Sequence, residues 1–144
     1  MDSYATFNDV LVRLFNEIMD IEERAIITEE FKDITNNDMH VIEAIGISTM
    51  KNMSTIARAL SVTVGTLTIS MNSLVKKGYV VRNRSSEDRR VVFISLSEKG
   101  VKAYYHHKKF HEQMIDSVVK ELTEEELEAL VKALTKLNTW FRSF

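Results

Sequence analysis

Seven apolar or aromatic side chains near the start of the chain, Tyr4, Phe7, Leu11, Leu14, Ile18, Ile21 and Ala25, follow one another at alternating steps of three and four residues. A helix turns once every 3.6 residues, so this spacing lays all seven along one stripe and predicts a long amphipathic helix. The same stepping returns at the other end in Leu127, Leu130, Leu134, Leu137, Phe141 and Phe144, behind a T-x-x-E capping box made by Thr123 and Glu126. A strand cannot use such a stripe, because its side chains change face at every residue. With no proline and four glycines in 144 residues, little interrupts helices between the two ends, and a single, mainly α-helical domain without a disordered linker is expected.

The middle is built from shorter pieces. Thr35 or Asn36 is placed to cap a helix that buries Ile42 and Ile45 and stops at Gly46, and Ser54 to cap a short helix carrying Ile56, Ala57 and Leu60. Thr63 opens a further helix, Val64 to Lys77, with Leu67, Met71, Leu74 and Val75 on one face and Gly78 as a left-handed stop. Tyr79 to Arg84 and Val91 to Leu96 are rich in β-branched and apolar residues, and the polar run Ser85-Ser86-Glu87-Asp88 lies between them, which predicts a β-hairpin. Ser97 then caps a helix through Val101, Tyr104, Tyr105, Ile115 and Val118, running to about Lys120.

The net charge of −2 conceals a strong segregation. Residues 1–50 carry three basic and eleven acidic side chains, residues 51–110 twelve and three, and residues 111–144 four and seven. A polyanion-binding face, if these charges cluster in space, therefore lies in the middle; a solvated run of charge is the alternative. Several function classes fall away. The absence of cysteine excludes disulfides, thiol nucleophiles and thiolate zinc sites, and suits a reducing compartment. There is no glycine-rich phosphate loop, no G-x-S-x-G and no H-E-x-x-H, and Glu124, Glu125 and Glu126 open a helix, where the dipole favours negative charge, so no enzyme is expected. Neither a membrane span nor a signal peptide is visible, which predicts a cytoplasmic protein.

Two short helices joined near Ser61 and Val62, followed by a basic hairpin, have the order of a winged helix-turn-helix, whose second helix enters the major groove of DNA. Away from its buried stripe that helix offers Gly65, Thr66, Thr68, Ile69, Asn72, Ser73 and Lys76, mostly short or polar, with Thr63 at its start. Gly65 costs roughly 0.8–1.0 kcal/mol against alanine in a helix; it is either a tolerated surface glycine or a place where backbone approaches another surface. Asn72 can pair with adenine, and the methyls of Thr66 and Thr68 suit thymine, which leans the expected site towards A·T. Lys76 and Lys77 are expected on phosphate, with Arg82, Arg84, Arg89 and Arg90 of the hairpin on phosphate or in a narrow minor groove. Asp88 is either a turn residue or the partner that orients Arg90.

These residues resemble the MarR family of winged-helix repressors over nearly the whole chain. Leu74-Val75-Lys76-Lys77-Gly78-Tyr79-Val80 is similar to the end of the family's recognition helix, and Asp88-Arg89-Arg90 followed by Ile94-Ser95-Leu96-Ser97-Glu98-Lys99-Gly100 to its wing. Phe31-Lys32-Asp33-Ile34, the run Val62 to Thr68, and His107-Lys108-Lys109-Phe110-His111 narrow the resemblance to fatty-acid-synthesis repressors within that family. It implies a DNA-binding part over residues 35–96 and dimerisation helices over 1–34 and 97–144. It also implies a homodimer on a palindromic double-stranded operator, Arg90 as wing arginine with Asp88 as its partner, and a long-chain acyl group on acyl carrier protein as corepressor. Both helical stripes support pairing with a second copy, packing within one chain being the alternative.

Such an effector needs an apolar tunnel, for which Phe15, Met19, Phe31, Met39 and Ile42 are candidates, although Met and aromatic residues at helical spacing also make ordinary core. The acidic carrier needs a basic patch, for which His106, His107, Lys108, Lys109 and His111 are candidates, a solvated helix face being the alternative. The competing effector is zinc: His107 and His111 are four apart on a helix, and His40 or Glu22 could complete a site, but with no second paired motif no metal is assigned.

Overall fold

A computed structural model describes residues 2–28 and 30–143. Helix α1 spans Ser3–Ile26, α2 Asn36–Ile45, α3 Met53–Leu60, α4 Val64–Lys77, α5 Glu98–Lys120 and α6 Glu124–Arg142; strands are β1 (Lys51–Asn52), β2 (Val80–Arg84) and β3 (Val92–Leu96). Residues 1–107 and 108–144 form two units, the first holding α1 to β3 and the start of α5, the second the rest of α5 and α6. No helix among the described residues is long and apolar enough to cross a membrane.

In the first unit, α2, α3 and α4 close over one buried cluster to which the sheet and the segment after α1 also contribute. Ile42, Ile45, Ile56, Leu67, Met71, Leu74, Tyr79 and Ile94 are fully buried, and such burial contributes on the order of 1.5–3 kcal/mol for each aliphatic side chain. Caps fix the helix ends. Thr35 and Asp38 form a reciprocal capping box at α2, the Thr35 hydroxyl accepting from Asp38 N–H and the Asp38 carboxylate from Thr35 N–H, both at 3.1 Å. The Lys51 ammonium donates to the Ala44 and Ile45 carbonyls at the other end. Helix α3 is capped by Asn52, whose Oδ1 accepts from Thr55 N–H at 2.8 Å, and not by Ser54. The helix begins two residues earlier than composition suggested because Asn is as good a cap as Ser.

The sheet holds three antiparallel strands in the order β1-β3-β2, with Val80 opposite Leu96, Arg82 opposite Ile94 and Asn52 opposite Phe93. The short β1 was not expected; it pairs across some forty residues of chain, and local sequence carries no signal for that. Tyr79 lies outside β2. Gly78 takes φ +89°, the left-handed stop expected, and Tyr79 N–H bonds back to the Leu74 carbonyl at 3.0 Å, so Tyr79 still belongs to the helix exit. Its ring is buried, and its hydroxyl donates to Asp33 Oδ1 at 2.6 Å. The start of α5 docks on this junction: Ser97 Oγ donates to the Gly78 carbonyl at 2.5 Å and Ser97 N–H to Tyr79 O at 2.9 Å. A Cβ on Gly100 would stand 2.0 Å from Tyr79 O, so only glycine permits this approach.

The terminal stripes exist as helices, but their own chain does not bury them. On α1 only Glu22 and Ile26 are buried, and Tyr4, Phe7, Leu11, Leu14, Ile18 and Ile21 are exposed. On α6, capped by Thr123 and Glu126 as expected, no described residue is buried. Phe144 lies outside the described residues.

Candidate nucleic-acid interface

The helix-turn-helix is set by two local devices. Ser61 ends α3 in the left-handed conformation, φ 56°, with its N–H turned to the Ala57 and Arg58 carbonyls. Two residues on, the Thr63 hydroxyl accepts from Thr66 N–H at 3.1 Å and starts α4. Helix α4 then buries Leu67, Met71 and Leu74 and turns Gly65, Thr66, Thr68, Ile69, Asn72 and Lys76 outward. Ile69 is 75% exposed and stands as an apolar side chain among the short and polar ones of this face. Among the described residues nothing requires a glycine at 65: an added Cβ would meet Thr63 Oγ1 at 3.9 Å, an ordinary contact. The Thr68 hydroxyl donates to the Val64 carbonyl at 2.8 Å and is satisfied within the helix.

Two side chains depart from the roles expected of them. Lys77 does not project towards a ligand; its ammonium lies 2.8 Å from the buried Asp38 carboxylate and ties α4 to the capping box of α2. Asn37 adds a second tie, donating to Ser70 Oγ at 3.2 Å. Asn72 is exposed, but its Oδ1 already accepts from Arg82 Nη2 on β2, so helix and wing are linked by a side-chain pair that neither element shows alone.

In the wing, Ser85 N–H bonds to the Val91 carbonyl at 2.9 Å and closes the loop. Arg84 Nη1 donates to the Arg89 carbonyl at 2.9 Å and so braces the loop, leaving the exposed Arg89 side chain to solvent. Asp88 holds Arg90 in a forked pair, Nε to Oδ1 at 3.1 Å and Nη2 to Oδ2 at 3.2 Å, and its Oδ1 also accepts from the Arg90 backbone at 3.0 Å. These bonds from Arg90 hold the Asp88 carboxyl below its ordinary range. Of the two readings of Asp88, the orienting one describes this geometry. Arg90 is nonetheless 91% exposed at its side chain, a guanidinium fixed in direction and open to a partner. Its neighbours Asn52, Met53 and Ser54, at the start of α3, line one groove with it. Sequence reasoning missed Asn52 and Met53 as groove residues because it is the β1–β3 pairing, a long-range contact, that brings α3 to the wing.

The effector candidates divide. Phe31, Met39 and Ile42 belong to the buried core, the Phe31 ring 6.3 Å from Tyr79 and 5.6 Å from His106. Met19 is half-buried, whereas Phe15 is 64% exposed and is not a lining residue within this chain, because it lies on the α1 stripe that the chain leaves uncovered. For the patch, Lys108 and Lys109 are exposed and His111 half-buried. His106 turns inward and donates through Nε2 to the Ala25 carbonyl at 2.9 Å. His107 is buried, with Nε2 3.5 Å from Glu22 and 3.9 Å from Glu43, so it belongs to an interior contact of α5 with α1 and α2 and not to an outward patch. His40 is exposed and lines a groove with Val41, Leu60, Thr66 and Ser70.

Comparison with known proteins agrees with this geometry. Residues 24–105 match the family described as transcriptional regulator SarA/Rot. The chain is 32% identical over 102 residues to the helix-turn-helix regulator SarZ of Staphylococcus haemolyticus, covering 71% of this chain and 68% of SarZ. The crystal structure of Streptococcus pneumoniae FabT in complex with DNA matches with a TM-score of 0.91 at 38% identity, over 98% of this chain and 99% of FabT. Staphylococcus aureus MepR, also solved with DNA, shares the fold with a TM-score of 0.72 at 23% identity, over 94% and 97% of the two chains. The chain therefore belongs to the SarA/Rot family of transcriptional regulators, with the winged helix-turn-helix of MarR-type proteins, and is a regulator and not an enzyme.

Proposed function

We infer that the chain is a sequence-specific repressor of fatty-acid-synthesis genes that binds a palindromic duplex operator as a homodimer, with long-chain acyl-acyl carrier protein as its corepressor. In this reading α4 of each copy enters a major groove and the wing lies on the adjacent backbone. The observation that carries DNA binding is Arg90, almost fully exposed yet held in a fork by Asp88. An arginine pinned by a carboxylate and still open to solvent is pre-organised for a second, anionic partner. FabT, solved in complex with DNA, supports the same reading through its likeness over nearly the whole chain. The acyl effector rests on the resemblance in Phe31 to Ile34, Val62 to Thr68 and His107 to His111.

The test is fluorescence anisotropy on duplex DNA with the purified chain, followed by addition of acyl carrier protein carrying chains of graded length. Arg90→Ala should weaken binding at physiological salt by about tenfold or more while thermal stability is kept, and affinity should fall steeply as salt rises. Equal affinity in the variant would remove the wing from the interface. Long acyl chains should tighten binding; no dependence on chain length would remove the acyl effector.

The contact of buried His107 with Glu22 favours one competing effector, a divalent metal, since a buried imidazole beside carboxylates is a usual ligand setting. Metal analysis of the purified protein, with DNA binding measured in the presence and absence of a chelator, decides between the two. Stoichiometric zinc and chelator-sensitive binding would replace the acyl reading.

A further inference from the structure

Helix α4 carries Asn72 and strand β2 carries Arg82, and the guanidinium of one donates to the carboxamide of the other. Guanidinium has donors only, so the atom of Asn72 facing Arg82 must be the oxygen, and the orientation of the amide follows from its partner's chemistry. The Asn72 Nδ2 group is then turned away, and both side chains are exposed. What this pair offers a ligand is one-sided: the two N–H of Asn72 and the unused N–H of Arg82, with the asparagine acceptor already engaged.

A lone asparagine reads adenine in the major groove because it donates to N7 and accepts from the N6 amino group. Here one of that oxygen's two lone pairs is taken by the guanidinium, and the positive charge beside it repels a further amino donor. An acceptor-only edge is the complement of a donor-only reader. Guanine presents O6 and N7 as acceptors and thymine presents O4, whereas adenine and cytosine both expose an amino group. Resting on the DNA-binding reading above, we propose that Asn72 and Arg82 act as one composite reader built from helix and wing, selecting guanine, and thymine after it, at the base that Asn72 faces. Arg82 is then a specificity-determining residue and not one more phosphate contact, and the adenine preference expected of Asn72 alone is reversed at this position.

The experiment is selection from a duplex library randomised over about two turns, run with the wild-type chain, Arg82→Ala, Asn72→Ala and Arg82→Lys. It is followed by anisotropy on the selected duplex with each of the four bases placed at the position that responds. Wild type should prefer guanine there by about 5- to 150-fold over adenine. Arg82→Ala, which frees the asparagine acceptor, should move the preference at that one position to adenine. Arg82→Lys, which keeps the charge without the fork, should bind but lose most of the discrimination. Asn72→Ala should flatten the preference altogether. Thermal melting of each variant should stay near wild type, since both side chains are exposed.

A wild-type preference for adenine, or an Arg82→Ala loss that is the same for all four bases, would overturn the composite reader while leaving DNA binding intact. Failure of the wild-type chain to bind any duplex would overturn the DNA-binding reading itself, and with it this one.

Discussion

Asp88 places a negative charge on a loop proposed to meet phosphate, so a charge-only account predicts that removing it strengthens binding. The geometry predicts the reverse, because the same carboxylate holds Arg90 by both its oxygens. Asp88→Ala should weaken binding to duplex DNA by about fivefold or more, because Arg90 loses the carboxylate that aims it. Anisotropy on the same duplex checks it, and an unchanged or increased affinity would show that Arg90 acts as a loose charge. The bonds from Arg90 lower the Asp88 carboxyl, so the pair is complete above the usual carboxylate range and opens only as pH falls through the lower folded value. Mild acidification towards pH ~6 should leave this contribution to binding untouched. The buried Tyr79 and the exposed Asp33 behave as a second such pair. Burial first, then the bond to Asp33, raises the tyrosine, and that bond lowers the aspartate. The aspartate's share of stability is lost on strong acidification, and the tyrosine's share on strong alkalinisation.

Two glycines, one on α4 and one on α5, have opposite meanings. At Gly100, on α5, a Cβ would meet the Tyr79 carbonyl at 2.0 Å, and backbone cannot be pushed aside cheaply. Gly100→Ala should destabilise by about 2 kcal/mol or more, visible as a lowered melting temperature before any DNA is added. At Gly65, on α4, the chain leaves room for a methyl group. Gly65→Ala should raise stability by up to about 1 kcal/mol and yet weaken DNA binding, since the methyl would stand on the face proposed to meet the duplex. A Gly65→Ala chain that binds as well as wild type would make it an ordinary surface glycine. The sequence signals that succeeded were local: the three-four stripes, the Thr35 and Thr123 caps, the stop at Gly78 and the basic hairpin all became the elements expected of them. What the sequence did not show depends on distant partners: the Lys77 ammonium meets Asp38, Asn72 meets Arg82 and His107 meets Glu22, and no window of neighbouring residues contains such a contact. Asn52 took the cap of α3 in place of Ser54 through a bond only three residues away, a choice that local sequence leaves open because the two residues cap equally well.

At the scale of the whole molecule, the unexplained quantity is apolar surface. Tyr4, Phe7, Leu11, Leu14, Ile18 and Ile21 project from α1, and Leu130, Leu134, Trp140 and Phe141 from α6, all in contact with solvent in the single chain. An apolar stripe of this kind along an exposed helix is uncommon on a monomer and is ordinary at an obligate interface. The proposed homodimer covers it, and a two-fold pair also sets two recognition helices about 34–36 Å apart, one turn of duplex. Because Leu14 is 51% exposed, a charge placed there costs the isolated fold little, but it would be buried without a partner in the dimer. Leu14→Glu should therefore leave the helical content of each chain near wild type. It should also shift the sedimenting mass from twice 16.6 kDa towards 16.6 kDa. Affinity for a palindromic duplex should fall much more than affinity for a single half-site, since only the former uses both copies. A wild-type chain that sediments as a monomer, or a Leu14→Glu chain that stays paired, would mean that the α1 stripe meets some other partner and that the spacing of the two helices is set elsewhere.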